Sequence, residues 1–154
     1  MQNNIITINL KLPVFAVKVL EKSGYLPLEK GTIEHNTIYS ILVLGRHIPF
    51  SNNVIFKPST LVTQNVALGI HIPHHFSLDY HPDKLKNIQA FLIHTAKEKI
   101  IEFCDFQKEQ LSLSVVDSVK NLMTFYEIDE DTYSQDSIIT MRYERNKKRN
   151  KKSK

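Results

Sequence analysis

The sequence predicts an α+β fold in which two strand-helix-helix units pair as a two-stranded antiparallel ribbon, with further helices at the C-terminus. Three observations predict it. Two segments of alternating apolar and polar residues lie sixty residues apart, and each ends at a proline. Helical periodicity follows each segment, and positive charge is concentrated at the end of the chain. The predicted units are a tandem strand-helix-helix domain at 1–110, a helical pair at 111–145 and a disordered basic tail at 146–154.

Both predicted strands have one apolar face. Ile6, Ile8, Leu10 and Leu12 alternate with polar residues before Pro13. A strand with this period buries one face, and the proline that follows suits the start of a helix. We expect the two strands to pair within one chain. In the alternative arrangement each strand pairs with its counterpart in a second molecule, which makes a homodimer. The second strand repeats the pattern with Val66, Leu68, Ile70 and Ile72 before Pro73.

Two helices are predicted in the first unit. A short helical pattern follows the first strand and stops at Ser23-Gly24, and a second helix fits residues 32–44. The buried face of this second helix is predicted to consist of Ile33, Thr37, Ile41 and Leu44.

The second unit has a broken stretch at 74–81 and then a long helix that opens at Pro82. The single cysteine, Cys104, lies among apolar residues of this helix and is predicted to be a core residue rather than a nucleophile. Ser114 is predicted to begin the next helix and Ser134 the last one. The apolar positions of the long helix, at three- and four-residue steps, are Leu85, Ile88, Leu92, Ala96, Ile100 and Phe103.

The first unit resembles the ribbon-helix-helix family of DNA-binding proteins. The residues that carry the resemblance are Ile8-Asn9-Leu10-Lys11-Leu12-Pro13; it covers about residues 5–45 and, more loosely, 65–104. Members of this family lay a two-stranded ribbon in the major groove of DNA. The resemblance implies that the outward side chains, here Thr7, Asn9 and Lys11, read base edges. The matching residues of the second strand, Ala67, Gly69 and His71, are a poor reading set, and an ordinary amphipathic edge strand is the alternative.

Positive charge is concentrated in residues 142–154, which carry eight Lys or Arg and one acid, Glu144. Because the whole chain has a net charge of only +4, residues 1–141 sum to −3. A polycation of this kind binds phosphate and releases condensed counterions; the alternative is a solvated tail that favours solubility. The predicted phosphate contacts are Arg142, Arg145, Lys147, Lys148, Arg149, Lys151 and Lys152.

The two C-terminal helices resemble a helix-turn-helix, with Gln135 as a base reader at the start of the second helix. The turn between them, residues 127–133, is longer than usual for this motif. It also contains four acids, which would repel phosphate. These acids are expected instead to cap the last helix or to mask the basic tail.

A metal site and an enzyme are both weighed and not predicted. His71, His74, His75 and His81 lie within eleven residues and could bind zinc, together with Asp79 or Asp83. The sequence contains no Cys-x-x-Cys or His-Glu-x-x-His pattern, so no metal or other cofactor is predicted. It also contains neither a glycine-rich phosphate loop nor a Gly-x-Ser-x-Gly motif.

The predicted function is that of a small DNA-binding protein with double-stranded DNA as its partner. We expect a transcription regulator or an accessory DNA-handling factor of a phage or other mobile element. The N-terminus lacks the pattern of a signal peptide, and apolar runs such as 41–44 are too short to span a bilayer, so we expect a cytoplasmic protein without a membrane partner. The alternatives are a non-enzymatic assembly or virion-associated protein and a metal-dependent enzyme that uses the loop from His71 to His81.

Overall fold

The structure, a computed structural model, describes residues 4–44, 61–72 and 82–152. Within these residues it contains one two-stranded antiparallel sheet and five helices, so the predicted α+β class is confirmed. The elements in chain order are β1 (Asn4–Pro13), α1 (Val14–Lys22), α2 (Ile33–Leu44), β2 (Thr63–Ile72), α3 (Pro82–Leu111), α4 (Val115–Tyr126) and α5 (Gln135–Lys152).

The predicted pairing of the two strands within one chain is confirmed. β1 and β2 are antiparallel neighbours, and Ile8 lies directly opposite Leu68. These two residues occupy the same place in the two alternating segments, sixty residues apart. Ile6 pairs with Ile70, and the remaining pairs continue in both directions from the Ile8–Leu68 pair. The ribbon is therefore symmetric about its centre in register as well as in sequence pattern.

The apolar face of the ribbon lies against the helices. Ile8, Leu10 and Leu12 are buried on β1, and β2 contributes a matching row of buried aliphatic side chains. α1 and α3 both pack against β1, and α1 also packs along α3. The predicted orientation of β1 is confirmed, because the polar residues between these positions are exposed. The ribbon therefore presents its polar face outwards.

α1 and the loop that follows it are held by backbone hydrogen bonds. Pro13 precedes the first helical turn, where a backbone N–H would have no hydrogen-bond partner within the helix. The absence of that N–H in proline therefore costs nothing here. After Lys22, the N–H of Ser23 donates to the carbonyl of Val19. Gly24 has a φ of +79°, a conformation that a residue without Cβ adopts readily. This confirms the predicted stop at Ser23-Gly24.

The predicted buried face of α2 is correct at Ile41 and wrong at Ile33. Ile33 is 78% exposed, because it lies in the first turn, beyond the edge of the core. The other residues of α2 that face the core are His35, Ile38 and Leu42, and the side chain of Leu44 lies outside the described residues. α2 packs against α3 and β2 through this face. A buried polar residue, His35, therefore replaces the predicted Ile33 in the pattern.

The prediction of two equivalent strand-helix-helix units is not confirmed. After β2, residues 73–81 lie outside the described residues, and α3 then runs for 30 residues as a single helix. It contains no glycine and no proline after Pro82, so nothing in the sequence interrupts it. Its predicted core positions are correct: Ile88, Leu92, Ala96 and Ile100 are fully buried.

The C-terminal helices share the same hydrophobic core. Ser114 accepts a hydrogen bond from the N–H of Asp117, which confirms the predicted start of α4. The ring of Tyr133 stacks on Phe15 of α1, with ring centroids 4.0 Å apart, and Ile138 of α5 is fully buried. The predicted boundary at residue 110 therefore does not separate two cores.

The basic tail is helical through Lys152, where the sequence predicted disorder from residue 146. Lys and Arg have good helix propensity, and positive charge near the C-terminus of a helix interacts favourably with the helix dipole. α5 therefore extends through the basic segment. Residues 153–154 lie outside the described residues.

Candidate nucleic-acid interface

The beginning of α5 is fixed by polar contacts and is acidic. The hydroxyl of Ser134 accepts a hydrogen bond from the N–H of Ser137 at 3.2 Å, as predicted for a capping residue. The carboxylate of Glu130 accepts a second one from the N–H of Gln135 at 3.0 Å. Gln135, the predicted base reader, therefore lies beside carboxylates. It is also about 25 Å along the helix from Lys152, at 1.5 Å per residue.

The acidic turn before α5 is held by two lysines of α1. Lys22 donates hydrogen bonds to the carbonyl of Phe125 at 2.7 Å and to the carboxylate of Glu127 at 2.9 Å. Lys18 donates to the carbonyl of Glu127 and lies 3.7 Å from the carboxylate of Asp129. The hydrogen bond and charge of Lys22 lower the pKa of Glu127. The acids of the turn therefore form ion pairs with α1 and hold the turn against it.

Two arginines that the sequence assigned to phosphate contact point to α3 instead. Arg142 donates a hydrogen bond from Nε to a carboxylate oxygen of Asp105 at 2.8 Å, and its Nη2 lies 2.8 Å from the same oxygen in an ion pair. Arg145 donates to the carboxylate of Glu98 at 2.5 Å. The later arginine of α5 thus pairs with the earlier acid of α3, so the two helices run antiparallel. The predicted phosphate role of Arg142 and Arg145 is corrected by these ion pairs.

The remaining five predicted basic residues lie together on the last two turns of α5. All five side chains are exposed, and no acid follows Glu144 in the sequence. Within the described part of the chain, no acid lies in ion-pair range of the four lysines among them. We call residues 146–152 the basic end; its charged side chains are Lys147, Lys148, Arg149, Lys151 and Lys152.

One side of α5 carries polar and aromatic side chains that the sequence analysis missed. Tyr143 is 66% exposed. Together with four residues at helical spacing it lines a shallow surface depression. A helical wheel drawn through the tail would have revealed this set, but the prediction of disorder excluded that step. We call these residues the α5 stripe: Tyr143, Asn146, Lys147, Asn150 and Lys151.

The outer face of the ribbon presents the three residues predicted to read bases. Thr7, Asn9 and Lys11 are exposed, and their partners across the ribbon are Gly69, Ala67 and Asn65. His71 pairs with Ile5 at the other end of the ribbon. Lys11 and His71 thus share a face but lie about 20 Å apart along it, at roughly 3.4 Å per residue.

α2 covers the outer edge of β2 through a histidine that the sequence analysis also missed. Nε2 of His35 accepts a hydrogen bond from the N–H of His71 at 3.2 Å, and the two rings are 5.7 Å apart. His35 is only 4% exposed. Burial lowers its pKa; His71 and Lys30 act in the same direction, and Asn36 opposes them. Among the described residues, the buried Nδ1 of His35 has no hydrogen-bond partner.

The predicted histidine cluster falls largely outside the described residues, which include His71 but not His74, His75 or His81. Among the residues that are described, no group of three or more His, Cys, Asp or Glu side chains could hold a metal ion. Cys104 is buried, as predicted, and burial raises the pKa of its thiol to about 11. A thiol in this environment is protonated near neutral pH.

Of the helices that the structure describes, none is both long and apolar enough to cross a membrane. No protein-family model, no curated protein and no solved structure matches this chain.

Proposed function

We propose that this protein binds double-stranded DNA through the basic end of α5, with the outer face of the ribbon as a second contact. The observation that carries the proposal is the segregation of charge along α5. Acids surround the beginning of α5, and Arg142 and Arg145 in its middle pair with acids of α3. Five exposed basic side chains follow them without an intervening acid. Such a cluster neutralises phosphates, which supplies most of the sequence-independent affinity for DNA.

The ribbon supports the same function. A two-stranded ribbon fits the major groove, and the symmetric register of β1 and β2 resembles a ribbon built from two equivalent strands. Its outward residues are unequal, however. Thr7, Asn9 and Lys11 offer hydrogen-bonding groups, whereas Ala67 and Gly69 at the centre of β2 offer none, and the hydrogen-bonding residues Asn65 and His71 lie towards its two ends. We therefore propose that β1 makes the base contacts of the ribbon and that β2 positions it.

The basic end of α5 and Lys11 of the ribbon both lie near the level of the beginning of α3. Because α5 runs antiparallel to α3, its basic end extends from the level of Glu98 towards the beginning of α3. There the side-chain amide of Gln89 donates to the carbonyl of Lys11 at 3.0 Å. By helical rise, Lys152 lies about 10 Å beyond Arg145, and Gln89 lies about 13 Å beyond Glu98. The basic end and Lys11 therefore lie at similar levels along the axis of α3.

The salt dependence of binding tests the phosphate contacts. Lys148→Gln with Lys152→Gln removes two positive charges from the basic end. The slope of log K against log salt should fall in magnitude by about 1.8, at roughly 0.9 per phosphate on duplex DNA. Lys108→Gln with Lys120→Gln is the matched control, because it removes the same charge from exposed positions on α3 and α4 and should leave the slope unchanged.

Fluorescence anisotropy with a labelled duplex, measured between 50 and 200 mM salt, gives both slopes. Equal slopes for the two double variants would exclude the basic end as the phosphate contact. Failure of the unmodified protein to bind any duplex would refute DNA binding itself. A regulator should also bind one duplex more tightly than random competitor, whereas an assembly protein that packs beside nucleic acid should not discriminate.

A further inference from the structure

Most of the α5 stripe lies on the side of the helix that faces away from α3, and Asn146, which is half-buried and about 40° from Arg142, lies at its edge. At 100° per residue, Lys147 is about 160° and Asn150 about 140° from Arg145, which pairs with Glu98 of α3. Glu144, the last acid of the chain, interacts with Lys97 of α3. The stripe itself carries no acid. It is therefore a largely exposed polar surface of positive charge, with Asn146 half-buried at its edge, on a helix whose other side is held to the protein.

The residue types on the stripe suit the edges of base pairs better than phosphate alone. An asparagine amide carries a donor and an acceptor, and it can bond bidentately to adenine in the major groove. Lys147 and Lys151 lie beside the two amides and can reach phosphates. Asn146 and Asn150 are four residues apart, about 6 Å along the helix. That distance is close to two base steps of about 3.4 Å each.

We propose that the α5 stripe enters the major groove and that Asn146 and Asn150 read adenines about two base steps apart. This assignment rests on the proposed DNA binding and adds base recognition to a segment otherwise considered only for its charge. The major groove is about 12 Å wide and admits a helix. The length from Tyr143 to Lys152, about 14 Å, spans roughly four base steps.

The stripe favours duplex DNA over other polyanionic partners. Tyr143 is its only aromatic residue, whereas binding of single strands relies on several aromatic side chains that stack on successive bases. A membrane surface would require apolar side chains to insert between lipids, and the other four residues of the stripe are polar. Each asparagine amide offers both a donor and an acceptor, which match the donor and acceptor on the major-groove edge of adenine. A lipid headgroup has no such paired groups at the spacing of the two amides.

The test separates base reading from phosphate binding. Selection from random duplexes with the unmodified protein yields a preferred site. Affinity for that site and for a scrambled duplex is then measured for the variant carrying Asn146→Ala and Asn150→Ala. Alanine is the best helix former, so α5 should remain helical, which circular dichroism checks. Gln110→Ala is the control: it removes an exposed amide near the far end of α3, away from the basic end.

We expect the selected site to contain adenines at this spacing. The preference for it should fall by at least about fivefold in the double variant, since one bidentate contact contributes roughly 5- to 150-fold. Binding to the scrambled duplex and its salt slope should stay unchanged, because the amides carry no charge. Gln110→Ala should alter neither quantity.

Five results would count against the assignment. An unchanged preference in the double variant, or an equal loss on both duplexes, would overturn base reading by the stripe while leaving DNA binding in place. An unmodified protein that binds duplexes without any preference, or that prefers the single strand, would overturn it in the same way. An unmodified protein that binds no duplex would refute the proposed function, and the assignment with it.

Discussion

Arg142→Gln should destabilise the fold without weakening phosphate binding. The guanidinium of Arg142 donates one hydrogen bond of 2.8 Å to Asp105 and places a second nitrogen 2.8 Å from the same oxygen, and the two side chains are only 12% and 22% exposed. Removing the guanidinium leaves the carboxylate of Asp105 largely buried without its cation. The glutamine cannot reproduce the paired donors, so the connection between α5 and α3 is weakened.

The expected loss lies between two limits. Exposed ion pairs contribute about 0–1 kcal/mol, and removing one partner of a fully buried pair costs about 3–5 kcal/mol. Because this pair is mostly but not fully buried, we expect a loss of about 2 kcal/mol in the free energy of unfolding. For a domain of this size each kcal/mol shifts Tm by roughly 2–4 °C, which predicts a decrease of about 4–8 °C.

Thermal unfolding and salt-dependent DNA binding, measured on the same variants, provide the assay. Asp105→Asn should be less damaging in the Arg142→Gln background than in the unmodified protein, because the two residues form one interaction. Lys148→Gln should show the opposite behaviour, with Tm unchanged and the salt slope smaller in magnitude by about 0.9. If Arg142→Gln leaves Tm unchanged and reduces the salt slope, Arg142 contacts phosphate and the structural assignment is wrong.

Two further predictions concern the ribbon and its covered edge. Leu12→Ala should cost about 2–5 kcal/mol, because Leu12 is fully buried, whereas Lys11→Ala should change the free energy of unfolding by less than about 0.5 kcal/mol; the reverse order in urea unfolding would contradict the observed orientation of β1. Burial lowers the pKa of His35 in the folded state, so the folded protein binds fewer protons than the unfolded chain. Stability should therefore be greatest above about pH 6.5, the unfolded value, and decrease as the pH falls below it. His35→Gln, whose amide oxygen can still accept from the N–H of His71, should show a smaller decrease, and an equal pH dependence in both proteins would exclude His35 as the cause.

The strands could be predicted because their alternating pattern allows only one face of each strand to be buried. With a period of two, a shift by one residue would expose Ile8 and Leu10 and bury Asn9 and Lys11. Only one orientation buries the aliphatic side chains. The α2 helix is less constrained, because a histidine can replace an aliphatic residue when its ring accepts a hydrogen bond from a strand edge. His35 does this, and periodicity of apolar residues carries no sign of it.

The roles of the arginines could not be predicted because their partners are remote in sequence. Arg142 and Arg145 lie in the same basic segment as Lys147 and Lys148, and composition alone treats all four alike. Asp105 is 37 residues away from Arg142, and Glu98 is 47 residues away from Arg145. Only the folded chain, in which α5 packs against α4 and runs beside α3, brings these acids into range. The sequence thus located the charge but could not separate the part that binds the protein from the part that faces solvent.

The helical state of the basic end matters for the proposed interface as well as for the fold. Acids at the start of α5 and cations at its end both interact favourably with the helix dipole, so the charge pattern favours the helix in the free protein. A disordered tail would lose conformational freedom on binding, and that loss lowers affinity. A helix pinned by Ile138 and Arg142 has already lost most of that freedom. It also holds Asn146 and Asn150 on one side at a constant spacing, which a flexible tail would not do. The proposed base reading by α5 therefore depends on the same contacts that hold it to α3.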